Sequence, residues 1–352
     1  MFQSLRVLIQ ALVALALVAA TALAQPVADG TILERGPCPL DADPQAFAQA
    51  VQNYFQPDIL KAGLDRELAT RPLSIVFTEA DRQRLVTAAN EGRCERVIYA
   101  SAGLRVIGFV LRPAAVGPHP VLIWLRGGNR EFGKIEPVTL LNLAWLADAG
   151  FVVVATQYRG VDGGRGADEF GGADVEDVHA LLPLARTLPQ ADTDRLYLLG
   201  GSRGAMQGAL AMRQGLPVRA AAFRGGLYDL KSALVSRPAL ETGWKEMMLD
   251  HAANRDQALE RRSAVAWAGA LGAPVLLLHG RQDWRAPVDD ALAFDAALDK
   301  AGTEHRLVIY ERDEHQLAFH WPEWLAEAVA WFRAHGAFEP VDPGPPVTSV
   351  PR

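Results

Sequence analysis

From Arg96 onward the chain alternates between short apolar runs and longer stretches in which apolar residues recur at helical spacing. The runs at 97–100, 104–111, 121–125, 151–156, 196–199, 219–223, 275–278 and 306–310 have strand length and are apolar almost throughout, as expected of strands buried on both faces. The first two flank a Ser101-Ala102-Gly103 turn. Helices are predicted over 138–149, 174–186, 203–215, 287–301 and 321–335. Strands separated by such helices predict a mostly parallel sheet, here of eight strands, joined by right-handed crossovers with helices on both faces.

Three segments depart from this rhythm. Residues 226–270, after the sixth strand, form a helical, charge-rich insertion that reads as a cap. Residues 25–94 read as a helical lead-in, with Phe47, Val51, Tyr54 and Phe55 along one face and Thr78-Glu79-Ala80-Asp81 as a helix-start signal. Residues 338–352, rich in proline, read as a loose tail, which leaves 95–337 as the domain built of alternating strands and helices. The glycine-rich stretch 160–172 lacks Gly-Lys-Ser/Thr and any Gly-x-Gly-x-x-Gly entering a helix, so it reads as a loop rather than a phosphate cradle.

Composition adds limits. Half of the 352 residues are hydrophobic and 22% charged, ordinary for a globular enzyme. A net charge of −6 without a lysine/arginine block points away from nucleic acid and from anionic membrane surfaces as partners. Residues 1–24 have the pattern of a signal peptide: Arg6, an apolar stretch from Val7, then Ala22-Leu23-Ala24 before Gln25. Cleavage would release a periplasmic or secreted protein with no membrane attachment, and the alternative is an uncleaved anchor. In an oxidising compartment Cys38 and Cys94, the only two cysteines, are expected to pair; otherwise they are buried thiols.

Gly200-Gly201-Ser202-Arg203-Gly204 lies where a strand is predicted to turn into a helix, the setting of a nucleophile elbow. A serine needs a base, and the base needs a carboxylate to orient it. Asp283 follows the 275–278 strand and His315 follows the 306–310 strand, so the order Ser202, Asp283, His315 is that of an α/β-hydrolase triad. Glu311 and Asp313 are alternatives for the acid and His320 for the base, while His279 reads as structural. The oxyanion hole is expected from the backbone N–H of Arg203 and from the loop holding Gly127 and Gly128. In the insertion, Trp244, Met247, Met248 and Trp267 are pocket walls or core residues.

The stretches Arg126-Gly127-Gly128, Tyr158-Arg159-Gly160, Gly172-Ala173-Asp174-Val175-Glu176-Asp177, the serine motif, His279-Gly280-Arg281-Gln282-Asp283 and Glu314-His315 together resemble the catalytic domain of the prolyl oligopeptidase family of serine peptidases over 96–336. The resemblance implies an α/β-hydrolase fold and peptide or aminoacyl-amide hydrolysis through an acyl-enzyme, with carboxylic ester hydrolysis as the alternative. A catalytically inactive binding protein on the same fold is a third reading. No metal or organic cofactor is expected, and the partner is a short peptide or other small molecule. The family usually has a propeller before this domain; here there are only some 70 residues. It also commonly has tyrosine or histidine where Arg126 stands. Arg126 could therefore meet developing negative charge, grip a substrate carboxylate, or pair with Glu131, Asp162 or Asp168, and Asn129 beside it is a further candidate substrate contact.

Overall fold

The structure, a computed structural model, describes residues 27–40, 43–64, 73 and 76–338. The signal pattern at 1–24 and all but the first residue of the proline-rich tail lie outside the described residues. In chain order the strands are β1 Ile32–Pro37, β2 Cys94–Ser101, β3 Leu104–Leu111, β4 His119–Leu125, β5 Val152–Thr156, β6 Ala191–Gly201, β7 Ala220–Arg224, β8 Val275–Gly280 and β9 His305–Tyr310. They form one sheet in the order β1-β2-β3-β5-β4-β6-β7-β8-β9. The pairs among β1, β2, β3 and β5 are antiparallel, and every pair from β5–β4 to β8–β9 is parallel.

This is an α/β-hydrolase sheet, one strand larger than expected. The additional strand is β1, so the lead-in is not all helical and the insertion follows the seventh strand. The side chains of Ile32–Pro37 are exposed or half-buried, as befits an edge strand, and leave little apolar alternation in the sequence. Pairing with β2 orders the segment instead, and the Cys38–Cys94 disulfide, Cα–Cα 5.5 Å, joins the end of β1 to the start of β2.

The helices are α1 Pro44–Lys61, α2 Glu79–Asn90, α3 Pro137–Asp148, α4 Val175–His179, α5 Leu181–Arg186, α6 Arg203–Arg213, α7 Leu230–Ser236, α8 Leu240–Met247, α9 Arg255–Arg261, α10 Val288–Ala301 and α11 Glu323–Ala334. They cover both faces, because consecutive residues of a strand point to opposite sides. On β4, Val121, Ile123 and Leu125 enter the core shared with α4–α10, whereas Leu122 and Trp124 enter the core shared with α1, α2, α3 and α11. Burying such side chains fully is worth about 1.5–3 kcal/mol each.

Helix α1 packs by helical spacing. Phe47, Val51, Phe55 and Ile59 are buried, Asp43 caps the first turn by accepting from the Gln45 N–H at 2.9 Å, and Phe55 stacks on Phe77 with ring centroids 4.7 Å apart. Helix α2 starts at the expected signal, where the Thr78 N–H donates to Asp81 Oδ2 at 2.9 Å. The lead-in therefore belongs to the same two-faced core as the sheet, and it brings α1 against the strand ends that carry the site.

Candidate active site

Ser202 sits between β6 and α6 with φ 54° and ψ −120°, a conformation that non-glycine residues adopt only when their surroundings enforce it. Its neighbours do so by close approach. A Cβ on Gly200 would lie 2.4 Å from the Gly204 carbonyl oxygen, and one on Gly204 would lie 2.1 Å from the Leu125 carbonyl oxygen. The helix start can press against the sheet only because both positions lack a side chain. The Ser202 N–H donates to the Arg224 carbonyl at 2.8 Å, which fixes the turn to β7.

Asp283 and His315, on the loops after β8 and β9, meet: His315 Nδ1 lies 2.8 Å from Asp283 Oδ2, both side chains buried. Asp283 Oδ1 accepts from the N–H groups of Arg285 at 2.8 Å and Ala286 at 2.9 Å. Burial works to raise the Asp283 carboxyl, but the His315 and His279 imidazoles and the Ala286 N–H outweigh it and hold the group below the usual carboxylate range. An ionised carboxylate at Nδ1 places the imidazole proton there and leaves Nε2 as the proton acceptor. The alternatives named above are engaged elsewhere, Asp313 with His320 at 2.8 Å and the exposed Glu311 with Arg281 at 2.7 Å.

His279 is buried, as a structural residue should be, yet it also touches the site. Its Nε2 donates to the Ala286 carbonyl at 2.8 Å and lies 3.3 Å from Asp283 Oδ2. Burial lowers its pKa, against the pull of the Asp283 carboxylate. Its place at the end of β8, four residues before Asp283, is the sequence signal for this contact.

Ser202 and His315 line one cavity of about 630 Å³ together with Gly127, Gly128, Asn129 and Arg203. A Cβ on Gly127 would lie 2.9 Å from the Ser202 Cβ, so that loop reaches the serine at backbone distance. The insertion contributes Arg237, Leu240 and Trp244 to the wall. Trp244 is both wall and core, whereas Met247 and Met248 are core alone and Trp267 packs away from the cavity, donating to the Glu260 carbonyl.

Arg126 departs from every role expected of it. Its guanidinium donates to the carbonyls of Gln157 (3.0 Å), Gly127 (3.0 Å), Phe132 (3.1 Å) and Arg130 (2.8 Å), and it is not among the residues lining the cavity. Burial pulls its pKa down to about 10. The side chain shapes the 127–132 loop from behind: main-chain carbonyls, invisible as partners in a sequence, replace the carboxylates Glu131, Asp162 and Asp168.

Arg203 carries a part that sequence reasoning missed. Besides the backbone N–H beside the serine, its buried guanidinium binds Asp168 at 2.6 and 2.7 Å and pairs with Asp174, while Nη1 also donates to the Gly128 carbonyl at 3.1 Å. Asp168 Oδ2 in turn accepts from the Arg130 N–H at 2.7 Å. The glycine-rich loop at 160–172 is thus a tether: it supplies a carboxylate that ties the elbow to the loop carrying Gly127 and Gly128.

The second missed part is α1. Tyr54 and Asp58 line the cavity, and the buried Asp58 Oδ1 accepts from Trp284 Nε1 at 3.1 Å and from Arg285 Nε. The lead-in thereby forms a wall of the site and is fastened to the loop that holds Asp283.

A serine lifted on a strained strand–helix turn above a mostly parallel sheet, lining one cavity with a histidine whose ring contacts a buried carboxylate, fits a serine hydrolase of the α/β-hydrolase fold. The sequence profile described as the prolyl oligopeptidase family matches residues 137–337, and the chain belongs to that family of serine peptidases. It is 29% identical over 219 residues to the uncharacterized peptidase YtmA of Bacillus subtilis, covering 62% of this chain and 84% of the relative. Among solved structures, the acylaminoacyl peptidase of Pyrococcus horikoshii superposes with a TM-score of 0.60 at 20% identity, over 70% of this chain and 42% of that one. A puromycin-hydrolyzing peptidase of Mycobacterium tuberculosis gives 0.60 at 25% identity, over 68% and 38%. The chain thus spans less than half the length of these two structures.

Proposed function

We propose that Ser202 attacks the carbonyl carbon of a peptide or aminoacyl amide, with His315 as the base and Asp283 as its orienting carboxylate. His315 Nε2 takes the serine proton and returns it to the leaving amine; water, deprotonated by the same nitrogen, then releases the acyl group from Ser202. The oxyanion that forms in each step is held by the Arg203 N–H and the Gly127–Gly128 loop. The observation that carries this reading is the 2.8 Å contact between His315 Nδ1 and Asp283 Oδ2, in the wall of the cavity that Ser202 also lines. Amide rather than ester bonds are favoured by the family and by the names of the relatives, two of which are an acylaminoacyl and a puromycin-hydrolyzing peptidase. A cavity of about 630 Å³, walled by α1 and by the insertion, suits a short peptide. The leader pattern at 1–24 and the Cys38–Cys94 disulfide support action outside the cytoplasm, in a periplasmic or secreted setting.

The test is turnover of free and N-acylated aminoacyl nitroanilides and of a short-chain nitrophenyl ester by the purified chain, with Ser202→Ala as background. Serine-dependent amide cleavage is expected. Ester turnover with no amide cleavage, or failure of a fluorophosphonate to label Ser202, overturns the proposal.

A further inference from the structure

Five basic residues line the catalytic cavity: Lys134, Arg203, Arg224, Arg237 and Arg285. Three have carboxylate partners, Lys134 with Glu131, Arg203 with Asp168 and Asp174, and Arg285 with Asp58. Arg224 and Arg237 make no ion pair among the described residues. Arg224, the last residue of β7, is only 8% exposed. Its Nη1 donates to the His315 carbonyl at 3.2 Å, its guanidinium lies 5.1 Å above the Trp324 ring, and its Nε has no partner. It fits under the elbow because Gly201 has no side chain; a Cβ there would lie 2.9 Å from Nη2. Arg237, directly after α7, is half-buried, donates to the Arg285 carbonyl at 3.1 Å and lies 5.2 Å from the Trp284 ring.

A carbonyl and an indole face give a guanidinium direction but do not neutralise it. Removing such a charge from water without a counter-charge in contact is unfavourable, and here Asp283 and Asp58 act on both cations only from beyond ion-pair distance. Burial lowers the pKa of both, the mark of cations that would gain from an anion. The cavity's own carboxylates do not supply it. Asp58 and Glu131 are engaged with Arg285 and Lys134, and Glu136 is exposed.

We propose that Arg224 and Arg237 recognise a carboxylate of the substrate inside the catalytic cavity, so that acidic peptides are preferred over neutral ones. This rests on the peptidase reading above for the kind of molecule that carries the group. The carboxylate is an acidic side chain or a free C-terminus, either of which presents two oxygens to a guanidinium fork. Carboxylate recognition, one of the roles open to Arg126 in the sequence, thus falls to two other arginines, because Arg126 is committed to main-chain carbonyls.

The test measures binding, not turnover, on the full chain carrying Ser202→Ala. Two ligand pairs are titrated by calorimetry: N-acetyl-Ala-Ala as acid and as C-terminal amide, and N-acetyl-Glu-Ala-amide against N-acetyl-Gln-Ala-amide. The acid of at least one pair should bind about tenfold or more tightly than its neutral partner, and which pair responds identifies the source of the carboxylate. Arg224→Met and Arg237→Met should each reduce that ratio, and together bring it below about twofold. If Arg224→Met does not fold, Arg237→Met alone must still reduce the ratio. Equal binding within both pairs overturns the proposal, as does an acid preference that survives the substitutions. An arginine that only positions His315 would leave the ratio untouched. Acid preference without amide hydrolysis would remove the peptidase reading and keep this one; amide hydrolysis without acid preference would do the reverse.

Discussion

The perturbation that probes the site most deeply is Arg203→Met. It removes the cation shared by Asp168 and Asp174, whose side chains are 3% and 0% exposed. Stranding buried carboxylates in this way costs about 3–5 kcal/mol, because their desolvation is then uncompensated. Spread over a chain of this size, that is a fall in Tm of roughly 4–7 °C. The loss should depend on pH. Burial works to raise the Asp168 carboxyl, but Arg203 and the Arg130 and Phe170 N–H groups hold it below its ordinary value of about 4. A depressed folded pKa contributes stability that is fully present above the unfolded value and is lost as pH falls through the folded one. Wild type and variant should therefore differ most at neutral pH and converge below about pH 4. Urea unfolding in steps from pH 7 down to about pH 3 measures this, and turnover should fall as well, since the Arg203 and Gly127–Gly128 elements lose their common tie. Adding Asp168→Asn and Asp174→Asn should recover much of the stability, because no charge is then left buried alone. A loss under about 1 kcal/mol at pH 7, or one independent of pH, would refute the reasoning.

Two further outcomes follow from the geometry. Asp283→Asn should lower kcat by about 10³–10⁴-fold with the fold intact, because an amide can donate to His315 and so select the wrong tautomer; near-normal turnover by single-turnover kinetics would exclude the assigned role. Replacing Cys38 and Cys94 by serine should cost about 4 kcal/mol, from the entropy of releasing a loop with sequence separation 56. The same unfolding midpoint with and without reductant in the wild type would show that the bridge contributes nothing.

The sequence alone determined the repeated strand–helix rhythm, the parallel sheet and the order of Ser202, Asp283 and His315. Local patterning suffices for these: a continuous apolar run such as Leu196–Leu199 has few structures open to it, and each chemical residue directly follows such a run or the turn after it. Tertiary structure alone decided which charges meet which partners. Nothing near Arg203 in the chain marks Asp168, 35 residues away, and nothing in Arg126 shows that its partners are carbonyls. The strand β1 also escaped, since an edge strand with exposed faces needs no alternation and is ordered by β2. Helix α1 was legible as a helix from Phe47, Val51 and Phe55, but its role as a wall was not. That role depends on Asp58 reaching Trp284 and Arg285, 226 and 227 residues away, and long-range contacts of this kind exist only once the sheet has brought its strand ends together.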